Sequence, residues 1–157
     1  MEEKVPGFYG KYYYTLDGKG RILIPPTFKE VLSSNYSLNL VFVNDAFDHC
    51  LCAYPVDEWN RLMEKIKQMP QTLDAVKYYM RRVIGSAVEC DIDKQGRLLI
   101  PSALRSDAGL NSETVLIGQG SKIEVWDKAE FEGVADPSKF GIETINEHKA
   151  NLSNLGL

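Results

Sequence analysis

Two histidines and three cysteines are all the imidazole and thiol that this chain of 157 residues contains. So few histidines leave little general-base chemistry, and the sequence holds neither a phosphate loop nor a nucleophile elbow. The expectation is a protein that is not an enzyme and takes no cofactor and no small-molecule substrate. Three thiols cannot all pair, which points to a reduced, cytoplasmic setting. His49-Cys50-x-Cys52 has ligand character, and Cys50 and Cys52 share one face of a strand. No second Cys/His pair follows at ligand spacing and Cys90 stands alone, so structural cysteines and no metal are expected. Missing too is an apolar run long enough to cross a bilayer. Met1 to Lys4 lack the basic start and apolar stretch of a signal peptide, so no membrane partner is expected.

A surplus of positive charge is also absent. The net charge is −4, which taken alone argues against a nucleic-acid partner. Its distribution argues the other way. Between Phe8 and Leu32, Lys11, Lys19, Arg21 and Lys29 face only Asp17 and Glu30. Between Ala75 and Gly109, Lys77, Arg81, Arg82, Lys94, Arg97 and Arg105 outnumber Glu89, Asp91, Asp93 and Asp107. Screening removes distant charges beyond about 8 Å at physiological salt, so two local cationic segments can steer an anionic partner on an acidic molecule.

What the chain does contain is one phrase written twice. Asp17-Gly18-Lys19-Gly20-Arg21-Ile22-Leu23-Ile24-Pro25 returns as Asp93-Lys94-Gln95-Gly96-Arg97-Leu98-Leu99-Ile100-Pro101, 76 positions on. The frame is Asp-x-x-Gly-Arg, three aliphatics, then proline, and each copy lies in one of the cationic segments. Leu51-x-x-Tyr54 likewise resembles Ile123-x-x-Trp126. A repeat of this kind sets the architecture. Two half-sized units are expected, over 8–59 and 85–133, with a helical insert at 60–84 and a tail at 134–157.

In each unit an aromatic or aliphatic strand (Phe8–Tyr14, Ala87–Ile92) runs into a turn whose glycines supply positive φ: Asp17–Gly20 and Asp93–Gly96. Asp17 and Asp93 accept backbone N–H bonds inside those turns. A return strand follows (Arg21–Ile24, Arg97–Ile100) and Pro25 or Pro101 ends it. Alternation turns Ile22, Ile24, Leu98 and Ile100 inward and leaves Arg21 and Arg97 at the strand mouths. Thr27 is placed to cap a short helix through Leu32, and Gly109 to end one over Ser102–Ala108. Leu38–Val43 with His49–Tyr54, and Thr114–Gly118 with Lys122–Trp126, read as further strands. Asp57–Met69 is amphipathic, with Trp59 on its apolar stripe, and a second helix runs from Leu73 to Ile84. Gly141–Asn151 reads as weakly helical at best and prone to fray.

At the two turns the sequence resembles the MraZ family, regulators built from tandem swapped-hairpin units of the AbrB/SpoVT type. The likeness covers Gly10–Trp59 and Gly85–Phe131 and includes Arg82-x-x-Gly85 and Gly118…Ile123-Glu124-x-Trp126. It implies a mainly β (α+β) fold, with both units closing one pseudo-twofold β-barrel. It implies a DNA-binding transcription factor of the nucleoid, acting at repeated promoter boxes upstream of the cell-division and cell-wall gene cluster. Such proteins assemble into homo-oligomeric rings, with arginine loops on double-stranded DNA. The DNA-contacting arginines correspond to Arg21 and Arg97; Lys19 and Lys94 in the same turns, and Lys11 in the first cationic segment, are candidate phosphate partners. The lysine sits one place later in the first turn than in the second, so the loops are not expected to act equally. An oligomeric scaffold or antitoxin-like protein binder is the competing reading. A guanidinium clamped by a neighbouring carboxylate and turned from any groove would count against the DNA reading.

Overall fold

The computed structural model describes residues 7–157; the signal-peptide reading of Met1–Lys4 lies outside them. The first half contributes β1 (Lys11–Thr15), β2 (Arg21–Leu23), α1 (Pro26–Asn35), β3 (Asn39–Asn44) and β4 (Leu51–Pro55). Helices α2 (Val56–Lys67) and α3 (Asp74–Arg82) and a 3-10 turn at Ile84–Ser86 follow. The second half repeats the order: β5 (Val88–Asp91), β6 (Arg97–Leu99), α4 (Ser102–Asp107), β7 (Glu113–Gly118) and β8 (Ile123–Asp127). Then come α5 (Lys128–Ala135), a 3-10 turn at Pro137–Lys139 and α6 (Ile142–Asn154). The class is α+β, as expected.

Strands of the two halves pair with each other. The main sheet has the order β1-β7-β8-β4-β3-β5, with antiparallel neighbours throughout. Thus β1 of the first half lies on β7 of the second, and β5 of the second on β3 of the first. The registers correspond: Tyr12 faces Leu116 as Val88 faces Phe42, and Tyr14 faces Thr114 as Cys90 faces Leu40.

Two expectations need correction. The sheet is open, ending at β1 and β5, so the closed barrel does not form. And β2 does not return along β1; it leaves the sheet and pairs with β6 as a separate two-stranded ribbon. The reason is length. Only three residues separate each turn from the Ile24-Pro25 or Ile100-Pro101 stop, and proline has no N–H to give a ladder. The short segments find partners in each other: Ile24 N donates to Gly96 O at 2.8 Å and Ile100 N to Gly20 O at 3.0 Å. The ribbon therefore packs beside both sheet edges without joining either ladder.

Burial holds this arrangement together. Ile22, Ile24, Leu98 and Ile100 of the ribbon face inward, as alternation predicts, onto Leu40, Phe42, Leu51, Leu116 and Val125 of the sheet. Helices α1 and α4 close the sides with Phe28, Leu32, Leu104 and Ala108. Phe28 meets Phe8 edge-on at 5.5 Å and Tyr12 at 5.1 Å. Thr27 does not cap α1: the helix begins at Pro26 with Pro25 in the cap position, so Thr27 already lies inside the first turn. Its hydroxyl instead meets the Tyr12 hydroxyl at 2.8 Å. Gly109 does end α4, at φ +61°.

The outer sheet face is covered by α2, α3 and α5. Trp59 packs at 5.9 Å on Tyr54 of its own sheet, which accounts for that residue without a second subunit. The tail departs from expectation. It forms a 13-residue helix, α6, with no buried residue, so its order does not come from packing on the sheet. None of the helices among the described residues is long and apolar enough to cross a membrane.

Candidate nucleic-acid interface

Each repeated turn is an Asx turn extended to hold its arginine. In the first, Asp17 Oδ1 accepts the backbone N–H groups of Lys19 and Arg21, both at 2.9 Å. The main chain closes with Gly20 N on Asp17 O at 3.0 Å, and Gly20 takes φ +86°. In the second, Asp93 Oδ1 accepts from Gln95 and Arg97, again at 2.9 Å, with Gly96 at φ +78°. The expected role of Asp17 and Asp93 is met, and they also do more. Arg21 Nε donates to Asp17 Oδ2 at 2.6 Å and Arg97 Nε to Asp93 Oδ2 at 3.3 Å.

Both guanidinium groups are thus held by a carboxylate, the arrangement that counts against a DNA reading, but they are not turned inward. Their side chains keep about a third of their surface: 31% for Arg21 and 33% for Arg97. The contact uses the Nε edge. For Arg21, among the described residues, neither Nη has a hydrogen-bond partner. For Arg97, Nη2 also donates to Gln95 Oε1 at 2.6 Å. Exposed ion pairs of this kind contribute little to stability, so they orient the fork without locking it away from a stronger anion. The turns differ at Gln95, whose place in the first turn is held by Lys19.

The ribbon decides where the arginines point. Arg21 pairs with Leu99 and Leu23 with Arg97, around a central Ile22–Leu98 pair. Side chains alternate across a strand. Ile22 and Leu98 are buried, so Arg21, Leu23, Arg97 and Leu99 all stand on the opposite, outward face. The arginines occupy diagonal corners, with Leu23 (38% exposed) and Leu99 (54% exposed) between them. Lys19 and Lys94 belong to the same turns. Lys11 does not join them: it starts β1 at the end away from the turn, its Nζ 5.6 Å from the Tyr13 and Phe131 rings. Pro25 and Pro101 end the ribbon where α1 and α4 begin.

The hydrogen bonds inside the turns depress both carboxyls. The Arg21 backbone N–H, with the Arg21 side chain and the Lys19 N–H behind it, outweighs desolvation and holds Asp17 at about 2. Asp93 is lowered too, chiefly by the Arg97 backbone N–H. A depressed carboxyl stabilises the fold fully above its unfolded value near 4 and loses that contribution as pH falls through its folded value. Carboxyl NMR titration should therefore find Asp17 midway at about pH 2, and Asp17→Asn should lower stability at pH 7 by more than at pH 2. Equal losses at both pH values would contradict this.

The cysteines are buried and unpaired by disulfide. Burial pushes Cys90 up to about 11, and the Cys52 side chain with burial pushes Cys50 up as well, so both stay protonated and unreactive. Cys52 donates to Asp45 Oδ1 at 3.3 Å. Asp45, Cys52 and Glu124 have ligand atoms within 4.8 Å of one another, the one such group among the described residues. Each is already hydrogen-bonded: Asp45 Oδ2 takes the Phe47 and Asp48 N–H groups, and Glu124 Oε1 takes Trp126 Nε1 at 2.9 Å. A groove of about 850 Å³ between α3 and α4 is lined by Lys77, Arg81, Arg82 and Asp107 among others, and no turn residue reaches it. Arg82 there donates to Asp45 O at 2.8 Å, a structural use of one of the paired arginines.

The composition of the ribbon was not legible in the sequence, nor was Arg105, whose side chain rests on the first turn. Both depend on contacts between distant segments, for which the local sequence carries no signal.

Comparison with known proteins finds sequence matches in both halves of the chain. Residues 8–78 and 83–151 each match the family model described as "MraZ protein, putative antitoxin-like". The protein named "Transcriptional regulator MraZ" from Desulfitobacterium hafniense is 37% identical over 150 residues, 96% of this chain and 99% of its own length. Proteins of the same name from Acetivibrio thermocellus (38% over 145 residues, 92% and 98%) and Pelotomaculum thermopropionicum (39% over 150 residues, 96% and 99%) are similar to the same extent. With both halves matched and the relatives aligned nearly end to end, the chain belongs to the MraZ family.

Proposed function

We propose that this protein is a transcriptional regulator, not an enzyme, that binds double-stranded DNA through the outward face of the β2–β6 ribbon. The relatives' shared name supports the regulatory role. One structural observation carries the mode of binding: the two repeated arginines share one face of an antiparallel ribbon. A two-stranded ribbon fits the major groove, where an arginine fork can bridge guanine O6 and N7 and an apolar side chain can meet a thymine methyl. Arg21 and Arg97 take the first role, Leu23 and Leu99 the second, and Lys19 and Lys94 contact phosphate. Asp17 and Asp93 aim the forks.

The finer proposal keeps two swapped-hairpin units, 8–59 and 85–133, joined by the 60–84 insert and followed by the 134–157 tail. One chain offers a single ribbon face, so useful affinity needs several. A homo-oligomeric ring supplies them, at repeated boxes before the cell-division and cell-wall genes, by raising effective concentration. Such a protein works in the cytoplasm at the nucleoid, without metal or cofactor.

The scaffold or antitoxin-like reading has one point in its favour: both guanidinium groups already hold a carboxylate. Gel shifts with the chain's own upstream DNA at rising salt separate the two. The DNA reading expects log affinity to fall linearly with log salt, by about 0.9 per phosphate contact. Absence of binding, or a flat response, would favour the scaffold.

A further inference from the structure

Arg105 stands outside the repeat and outside the site derived so far. It lies on α4 of the second half, yet its guanidinium lies against the first turn. A Cβ built on Gly20 would stand 2.6 Å from Arg105 Nε and 2.8 Å from Nη1, so a larger residue there would have to push the guanidinium aside. Arg105 Nε donates to Ile100 O at 3.0 Å, and the Ile100 N–H donates to Gly20 O at 3.0 Å. One residue thereby ties Arg105 to the turn through both of its main-chain polar groups. The side chain is half-buried, and among the described residues it forms no ion pair.

The pseudo-symmetric position is Lys29, five residues after Ile24 as Arg105 is five after Ile100. Lys29 makes no matching contact: a Cβ on Gly96 would meet only Leu23 Cδ1, at 3.9 Å. The second turn instead has Gln95 on Arg97 Nη2. The first turn thus gathers Lys19, Arg21 and Arg105 with both Nη groups of Arg21 open, while the second gathers Lys94 and a partly engaged Arg97.

We propose that Arg105 is a third arginine for a duplex phosphate, presented at the first turn by the opposite half of the chain, and that it makes the first turn the stronger anion site. The proposal rests on the ribbon-face reading above. Pinning through Nε orients the fork and leaves the Nη edge for a phosphate, a geometry that lysine at the mirror position does not supply. A backbone contact positions the protein without reading sequence. Its loss is therefore felt equally on the specific and on an unrelated duplex.

The test is a salt series of gel shifts with wild type, Arg105→Ala, Arg105→Lys and Arg21→Ala, on the upstream fragment and on a scrambled one, with thermal melts to establish folding. Arg105→Ala should lose about fivefold in affinity at 0.15 M salt on both fragments, and its salt slope should fall by about 0.9. Arg105→Lys should keep the slope, and Arg21→Ala should lose more on the specific fragment than on the scrambled one. If Arg105→Ala is unfolded, Arg105→Gln, which keeps a donor for Ile100 O, carries the same slope test. An unchanged slope in folded Arg105→Ala or Arg105→Gln, with Arg21→Ala still impaired, overturns the role of Arg105 alone. Failure of wild type to bind either duplex overturns it together with the ribbon-face reading.

Discussion

Arg21→Ala combined with Arg97→Ala is expected to weaken binding to the upstream fragment by at least about 30-fold while leaving the melting temperature within a few degrees of wild type. The magnitude follows from two bidentate base contacts at ~1–3 kcal/mol each, with tenfold in affinity for every 1.4 kcal/mol. The small stability effect follows from exposure: each arginine keeps about a third of its surface and loses only an exposed ion pair. The single variants should not be equal. Arg21→Ala should cost more than Arg97→Ala, because the Arg97 fork shares its Nη2 with Gln95. Gln95→Ala should in turn strengthen binding or leave it unchanged. A folded double variant that binds like wild type would remove the ribbon face from the function.

Phe28→Ala is expected to produce the largest loss of stability, about 3–5 kcal/mol, and to lower the melting temperature by about 6–20 °C. Phe28 is fully buried on the first turn of α1, two residues after Pro26, and two rings close on it edge-first. Phe8 rests on Phe28 as well as stacking on Tyr36 at 6.4 Å, and its segment holds the sheet by paired main-chain bonds with Gly120 at 2.7 and 2.8 Å. Loss of Phe28 therefore loosens the N-terminal segment as well as the space beneath the ribbon. Leu104→Ala, at the corresponding place on α4, removes fewer atoms and no aromatic partner, and should cost less. Chemical denaturation of the two variants checks the order; a loss below about 1 kcal/mol for Phe28→Ala would mean that this cluster does not close the core.

The parts of the fold legible in the sequence are those where local chemistry decides the outcome. Asp17, Gly20, Asp93 and Gly96 specify their turns because a short carboxylate can accept two N–H groups only if the chain bends there, and the glycines alone accept the φ required. Alternation placed Ile22, Ile24, Leu98 and Ile100 in the core, and Gly109 ended its helix. What was not legible depends on contacts between distant segments. Nothing near Arg21 says that its strand will prefer Arg97's strand to its own neighbour, since that choice is made by the three-residue limit and by the competing edges of a sheet assembled from both halves. The barrel expectation failed for the same reason. Thr27 looked like a cap because the sequence does not show that the helix begins one residue earlier, at Pro26. The α6 helix was underestimated because its apolar residues, Ile142, Ile145, Leu152 and Leu155, recur at helical spacing without any surface of this chain to receive them. Arg105 was countable as a charge and invisible as a neighbour of Gly20.

The β2–β6 pairing means that neither half of the polypeptide contains a complete recognition element. Cleavage anywhere in 68–73 would not release an independently competent piece: each fragment would carry one of the two ribbon arginines, one unpaired three-residue strand and an uncovered row of core side chains. Fragments produced separately should be inert when alone and regain binding only on mixing. A protein made this way ties its activity to the integrity of the whole chain, and a regulator truncated during synthesis is silent instead of partly active.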